Sequence, residues 1–367
     1  MRVAVAGGGP AGALAAERLA AAGVEVVLFD EKLAWEKPCG GGLTAKVYRR
    51  YPFLIENEVP KRRVSDIVFS TQGAGSVRLP LGDPLVIYSR KDLNGLLLDR
   101  AARAGARLEK ARVIALERRD GGWEVRSRAG AVHADFTVIA TGARNALAGV
   151  RRGPHLRALG YYAPGDQAHI DVQFFPGFEG YIWVFPRCGH VSAGICGRGE
   201  TAQALRWKLE AYMDARGISR RGAVFYSHLL PVFAPGEIAG PGWLAVGDAA
   251  ATVDPITGEG IYYALRSGEL AAEAILHGGG VAERYAAAVR EDFGVHLECG
   301  MGLAERFYSG TFAGAALTAR MVQFARRSGR FGAILRDLVA GAQAYTDLRR
   351  RCYRELPRIL MEMAGLS

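Results

Sequence analysis

The spacing Gly7, Gly9, Gly12 constrains the start of this chain more than any other feature. These glycines sit in Gly7-Gly8-Gly9-Pro10-Ala11-Gly12, between an apolar run at 2–6 and an Ala/Leu-rich stretch at 10–22 that stops near Gly23. A second apolar run, 24–30, ends in Asp30. Short apolar runs bounded by glycine read as buried strands, and the stretch between them as a helix, so the order is a βαβ unit of about thirty residues. In such a unit Gly7 permits the tight turn, Gly9 lets backbone approach a pyrophosphate, and Gly12 lets the helix pack against its strand. Pro10 and Ala11 open the helix, whose unpaired N–H groups and positive dipole end suit phosphate. Asp30, 18 residues beyond Gly12, stands where a carboxylate accepts ribose hydroxyls. The expectation is a dinucleotide-binding domain beginning at the first residue.

A chain of 367 residues, 50% hydrophobic and 23% charged, has material for two packed lobes and excludes disorder. Its net charge of +10 points first to nucleic acid or an anionic membrane. Only seven of the 47 basic residues are lysine, so the total reads as the arginine bias of a GC-rich coding sequence, and no nucleic-acid partner is expected. Five cysteines, Cys39, Cys188, Cys196, Cys299 and Cys352, contain no C-x-x-C pair. That argues against a zinc site or disulfide framework and for a reducing cytoplasm, with no metal expected. No apolar stretch is long enough to span a bilayer, leaving a cytoplasmic protein or one peripheral to a membrane.

Further along, strands are expected in 64–88, a helix over 91–104, paired strands at 107–133 and a buried strand at 136–140. Long antiparallel strands follow over 160–197, then a helix at 202–216, a strand at 243–246, and helices from Gly258 onward. There is no repeat and no linker. The expected fold class is α/β (α+β overall): a Rossmann-type dinucleotide-binding domain, the FAD-binding domain of the resemblance given next, interleaved with an antiparallel-sheet substrate domain and C-terminal helices. The expected boundaries are 1–60, 88–150 and 238–290 for the first, 61–87 and 151–237 for the second, and 291–367 for the helical region.

The choice of FAD comes from resemblance. The run Gly247-Asp248-Ala249-Ala250-Ala251-Thr252-Val253-Asp254-Pro255-Ile256-Thr257-Gly258-Glu259-Gly260 follows a strand and precedes a helix. It resembles the second FAD fingerprint of the aromatic-hydroxylase class of flavoproteins. The resemblance implies that Asp248 binds ribityl hydroxyls and that Pro255, Gly258 and Gly260 lie beside the pyrimidine edge of the ring. Backbone N–H groups there could stabilise an anionic reduced flavin. Arg90 before a helix, and Thr141-Gly142 at a strand end, match the same class, near the flavin side chain and the adenine half. A second G-x-G-x-x-G is missing, so no separate nicotinamide domain is expected and the electron donor stays open between NADPH, a ferredoxin or another reductant.

Two more motifs narrow the resemblance. Lys37-Pro38-Cys39-Gly40-Gly41-Gly42-Leu43 and Tyr181-Ile182-Trp183-Val184-Phe185-Pro186 are similar to the K-x-C-G-G and Y-x-W-x-F-P motifs of the geranylgeranyl reductase family. That family's members reduce isolated C=C bonds of polyprenyl chains. The likeness implies that Tyr181, Trp183 and Phe185 form a flat apolar wall for a prenyl substrate. It also implies that Cys39, Gly40 and Gly41 approach the flavin, with Cys39 as proton donor, ring shield or neither. Period-2 spacing alone puts the three aromatics on one face and is equally met by a core. Two other readings share the scaffold: a flavin monooxygenase or halogenase, whose W-x-W-x-I-P differs from the motif here, and a flavin redox sensor without catalysis. From residue 301 onward eleven arginines face five carboxylates, an excess of six. Phe331, Ile334, Leu335, Leu338 and Val339 form a helical apolar stripe with Arg327, Arg330 and Arg336 off it, a pattern suited either to an anionic membrane surface or to capping the substrate domain.

Overall fold

The computed structural model describes residues 1–145, 147 and 154–366, and the chain divides into two compact units. The first comprises 1–37, 90–155 and 230–298; the second comprises 38–89, 156–229 and 299–367.

In the first unit, Arg2–Ala6 runs at the centre of a sheet, parallel to Glu25–Phe29 on one side and to Phe136–Ile139 on the other. Arg107–Glu109 and Trp243–Ala245 extend it in parallel, and Ala239–Gly240 closes one edge as a hairpin. Strands covered on both faces cannot alternate with polar residues, which is why these read as unbroken apolar runs. On one face Ala4, Ala6, Val27, Phe29 and Ile139 meet Val113, Val125 and Ala134 of a three-stranded meander, 113–134. On the other lies helix Pro10–Ala21, against which helices Arg90–Arg103 and Ile261–His277 pack. Two glycines set those distances. A Cβ on Gly12 would stand 2.0 Å from the Gly7 carbonyl oxygen, and one on Gly268 would stand 2.2 Å from that of Ala11.

The second unit holds an eight-stranded sheet in the order Val224–Pro231, His155–Pro164, His190–Gly197, Gly180–Pro186, Ile170–Phe174, Lys61–Thr71, Gly75–Tyr88, Gly42–Leu43. It is antiparallel in the main, but Ile170–Phe174 runs parallel to Lys61–Thr71, so the sheet is mixed. Helix Ala202–Ala215, capped where Thr201 Oγ1 accepts from Ala204 N at 3.1 Å, covers one face. Leu205, Leu209 and Met213 meet Ile182, Val184, Ala193 and Ile195 there. Against the opposite face, residues 299–339 pack on the strands near Phe174 and Leu79.

Several sequence expectations change; at the boundaries, residues 88–89 fall in the second unit and residues 230–237 and 291–298 in the first. Residues 38–60, expected with the cofactor domain, fall in the second unit because Gly42–Leu43 pairs with Ile87 and Val86. Residues 299–367 belong to that same unit instead of forming a region of their own, because their helices pack on its sheet. Their run of helices is interrupted by a hairpin, Thr311–Phe312 with Ala315–Ala316, turned by Ala313 and Gly314 at φ 48° and 76°. The expected boundary at 150/151 lies outside the described residues.

The close approach at Gly12 has a measurable cost. Gly12→Val is expected to destabilise the first unit by about 3 kcal/mol through overpacking, read as a lower denaturant midpoint. An unchanged midpoint would show that the helix is not held this tightly.

Candidate active site

The glycine turn is built by strand ends. Gly7 N donates to Phe29 O at 2.8 Å and Ala140 N to Ala6 O at 2.8 Å, bringing three segments to one point. Gly7 sits at φ 118°, where a Cβ would be 2.1 Å from Ala140 O. Gly9 differs: its φ is −71° and its Cβ position meets nothing within 4 Å. Thus Gly7 and Gly12 are required by the protein's own packing, whereas the space beside Gly9 is open. Helix Pro10–Ala21 begins there with no side-chain cap and no acidic residue in its first turn, so its N–H donors point toward that space.

Asp30 has structural work as well. Its Oδ2 accepts from Gly8 N at 2.7 Å, and its Oδ1 from Lys32 N and Leu33 N at 2.8 Å. A carboxylate offers about four acceptor positions, so one more donor, such as a ribose hydroxyl, fits.

Arg90 is almost fully buried; its Nη2 donates to Asn94 Oδ1 at 3.2 Å, and its Nε has no partner among the described residues. Such a cation is costly to leave unsatisfied and suits an anionic ligand. The carboxylate of Glu36 fixes this end by accepting from Arg90 N and Lys91 N at 2.9 and 3.2 Å. Thr141 and Gly142 follow the Phe136–Ile139 strand, with Thr141 Oγ1 donating to Asn145 Oδ1 at 2.8 Å and Gly142 at φ 77°.

Gly247, at φ 60°, donates its N–H to Ser267 Oγ at 2.9 Å. Asp248 Oδ2 accepts from Lys37 Nζ at 2.7 Å, both side chains mostly shielded. The following turn is organised by Asp254, which the sequence reading passed over. Its Oδ1 accepts from Ile256 N and Thr257 N at 2.8 and 2.9 Å, setting Pro255 through Gly258. Gly258 adopts φ 70°, and Gly260 opens helix Ile261–His277 without a side-chain cap. The first unit therefore assembles Gly7 to Gly12, Asp30, Arg90, Thr141-Gly142 and Gly247 to Gly260. Uncapped helix starts, an open backbone approach at Gly9 and a buried arginine fit a flavin dinucleotide.

Cys39, Gly40 and Gly41 fall in the second unit, with the aromatic strand. Gly40 and Gly42 lie against the Phe185 ring, where added Cβ atoms would come within 3.2 and 2.8 Å. Gly41, at φ 82°, passes so close to Tyr88 that a Cβ would stand 2.1 Å from its carbonyl oxygen. The Cys39 Sγ accepts from Gly41 N at 3.3 Å. The Cys39 carbonyl is held by Arg187 Nη2 at 2.5 Å and Ser192 Oγ at 3.1 Å. Arg187 is fully buried, with its guanidinium 5.0 Å above the Tyr162 ring. Ser192 pairs in turn with Tyr226 Oη at 3.0 Å. Burial pushes the Tyr226 phenol up from its ordinary value, against the lowering pull of Ser192 and Arg187, so it stays protonated.

Tyr181, Trp183 and Phe185 share the sheet face opposite helix Ala202–Ala215, while Ile182 and Val184 fill the core beneath that helix. Trp183 lies across Gly194, whose added Cβ would be 2.2 Å from the indole. Tyr181 contacts Trp183 and Phe174 with centroids at 6.1 and 6.0 Å. Beside Tyr181 the buried Cys196 thiol is pushed up to about 12 by desolvation, so it stays protonated. Arg187 and Tyr226 escaped the sequence reading; the one signal for Arg187 was a cation placed directly after an apolar strand motif.

The chain matches the pyridine nucleotide-disulphide oxidoreductase family over residues 1–162, and together with the relatives that follow this gives its class, an FAD-dependent oxidoreductase. It is 31% identical to the menaquinone reductase of Mycolicibacterium smegmatis over 314 residues, 76% of either protein. It is 30% identical to the chloroplastic geranylgeranyl diphosphate reductase of Oryza sativa subsp. japonica over 316 residues, 76% of this chain and 67% of that one. The chain thus belongs to the geranylgeranyl reductase family of FAD-dependent oxidoreductases. In fold it resembles a geranylgeranyl bacteriochlorophyll reductase-like protein from Thermoplasma acidophilum, with TM-score 0.75, 21% identity and 100% and 99% of the two chains covered. A flavin-dependent brominase has the same fold, with TM-score 0.70, 16% identity and 98% and 100% covered.

Two outcomes follow. Gly9→Val is expected to keep the thermal midpoint of the flavin-free protein yet purify without flavin, because only the ligand's approach is blocked; a yellow, fully loaded variant would remove Gly9 from the cradle. Arg187→Met should raise the rate of Cys39 alkylation roughly tenfold as its loop loses the Arg187 bonds to the Cys39 and Gly40 carbonyls. Cys188, exposed on the surface, serves as the internal reference, and equal rates at Cys39 would show that Arg187 does not hold that loop.

Proposed function

We propose that this enzyme saturates isolated C=C bonds of a polyprenyl chain of the geranylgeranyl type. The observation that carries the reading is the row of aromatic rings Tyr181, Trp183 and Phe185 on one sheet face, turned away from the helix-covered core. An isolated trisubstituted alkene carries no polar handle, so only shape and apolar contact can align it. When bound, reduced flavin supplies the hydride at N5.

The chain's residues perform the rest. Backbone N–H groups after Gly9, together with Arg90, hold the pyrophosphate, Asp30 takes a ribose hydroxyl and Thr141-Gly142 borders the adenine half. Asp248 orients the ribityl chain, and Pro255, Gly258 and Gly260 border the ring. The aromatic face holds the alkene and excludes water, so that water does not compete at the reacting carbons. The proton for the second carbon comes from the Cys39 thiol, on the loop pinned by Arg187 and Ser192. Electrons enter from an external donor, NADPH or a reduced ferredoxin. Because a polyprenyl carrier partitions into lipid, the reading includes contact with a membrane surface.

The test is anaerobic. Dithionite-reduced enzyme is mixed with geranylgeranyl compounds, and flavin reoxidation is followed together with product mass. Wild type should reoxidise with a gain of two mass units per bond. Tyr181→Ala and Trp183→Ala should retain flavin and lose roughly 100-fold in kcat/KM through misalignment, and Cys39→Ala should slow reoxidation. Unchanged kcat/KM in both aromatic variants would return those residues to packing. Reoxidation by oxygen alone, with an oxygenated product, would assign monooxygenase or halogenase chemistry.

A further inference from the structure

The apolar stripe of helix Gly329–Val339, one candidate from the sequence for a membrane contact, is turned inward: Ile334 and Leu335 are buried, Phe331 packs on Phe324 with centroids at 5.7 Å, and Gly332 faces Leu79. A different helix, Tyr345–Met363, presents the opposite arrangement. Its inner side is fastened by Arg351, which donates to Asp337 Oδ2 at 2.7 Å and to Gln343 Oε1 at 2.9 Å. Arg330 reaches Glu355 and Glu362, at 3.2 Å each. Tyr345 and Ile359 are buried on that side.

The outer side is apolar where a surface helix is normally polar. Tyr353, Leu356 and Leu360, spaced i, i+3, i+7, are 63%, 44% and 54% exposed. Alongside them Arg350, Arg354 and Arg358 recur at every fourth position, all exposed, and Arg349 lies over the Tyr353 ring at 5.5 Å. The helix's three carboxylates, Asp347, Glu355 and Glu362, are each paired with an arginine. Arg349 and Arg358 have no carboxylate partner among the described residues.

We infer that the outer face of helix Tyr345–Met363 docks the enzyme on an anionic lipid bilayer, with Tyr353, Leu356 and Leu360 entering the interface and Arg349, Arg350, Arg354 and Arg358 lying among the phosphates. Charge selects this occupant. A second copy paired through the same face would set arginine against arginine, whereas an anionic surface neutralises the row while accepting the apolar stripe. The helix lies on the surface and does not cross it, and no helix among the described residues is long and apolar enough to span a membrane. The inference rests on the prenyl reading for its purpose, since a lipid-dissolved substrate is reached from the bilayer face, but not for its physical basis.

The experiment is sedimentation of the full-length, flavin-loaded protein with phosphatidylcholine vesicles that contain or lack phosphatidylglycerol. Binding should occur at low salt on the anionic vesicles, weaken as salt shortens the screening length, and be slight on the neutral ones. Arg349→Gln/Arg358→Gln should lower the partition constant roughly 30-fold, and Leu356→Ser/Leu360→Ser at least roughly tenfold. A charge-matched control on exposed arginines elsewhere, Arg112→Gln/Arg157→Gln, should change it little. Absence of binding at low salt, or an equal loss in the control, overturns the inference. So does conversion of a dimer to a monomer by the leucine variant without any vesicle binding, which would give the face to a second copy. Reoxidation of the reduced flavin by detergent-dispersed substrate should be unaffected in the surface variants. If vesicles bind as expected while no prenyl compound reoxidises the flavin, the substrate reading falls and the docking face stands.

Discussion

Everything in the first unit depends on how closely three backbone segments can meet at the glycine turn. The ends of strands Arg2–Ala6, Glu25–Phe29 and Phe136–Ile139 converge there, and any side chain at Gly7 or Gly12 would overlap a carbonyl oxygen. The neighbouring helix starts at Gly9, which has no side chain to cap it, and the space beside Gly9 is open. A helix end without a partner is unfavourable, so the open N–H groups beside Gly9 suit an anion.

The second unit uses missing side chains differently. Here glycines make room for rings: Trp183 lies on Gly194, Phe178 on Gly180 and Gly197, Tyr226 on Gly160, and Phe185 on Gly40 and Gly42. A ring laid flat on a strand loses its rotamer freedom at the moment of folding and not when a ligand arrives. The aromatic face is therefore rigid in advance, and the loop carrying Cys39 is rigid with it, since Phe185, Arg187 and Ser192 all bear on that loop.

Legibility followed the range of the interaction. The Gly7-to-Gly12 fingerprint, the order of strands and helices around it and the second glycine run were readable because each is a local pattern with one backbone solution. Placement of Tyr181, Trp183 and Phe185 on one face was readable from period 2, but which face the core would take was not, since that depends on helix Ala202–Ala215 arriving from elsewhere. Arg187 was masked by composition: in a chain this rich in arginine, its place directly after the apolar strand motif was the only mark it left. Asp254 and Asp30 show the related limit that an acidic residue in a turn looks alike whether it serves the backbone or a ligand, and Asp30 has capacity for both. The stripe on helix Gly329–Val339 was read correctly as a stripe. What covers it, the sheet of the second unit near Leu79, is more than 200 residues away in sequence.

The division at 37/38, 89/90, 155/156, 229/230 and 298/299 has a consequence for biosynthesis. Neither unit is a continuous stretch, so neither can be completed while the ribosome is still making the middle of the chain. Strand Phe136–Ile139 must wait for Trp243–Ala245 before its second edge is paired, and Lys61–Thr71 must wait for Ile170–Phe174. In that interval apolar edges stand open, which exposes the nascent chain to wrong pairings and makes a trigger for chaperone binding. Genetic dissection meets the same barrier: no single cut yields one unit intact, so the cofactor cradle and the aromatic face are inherited, and must be translated, together.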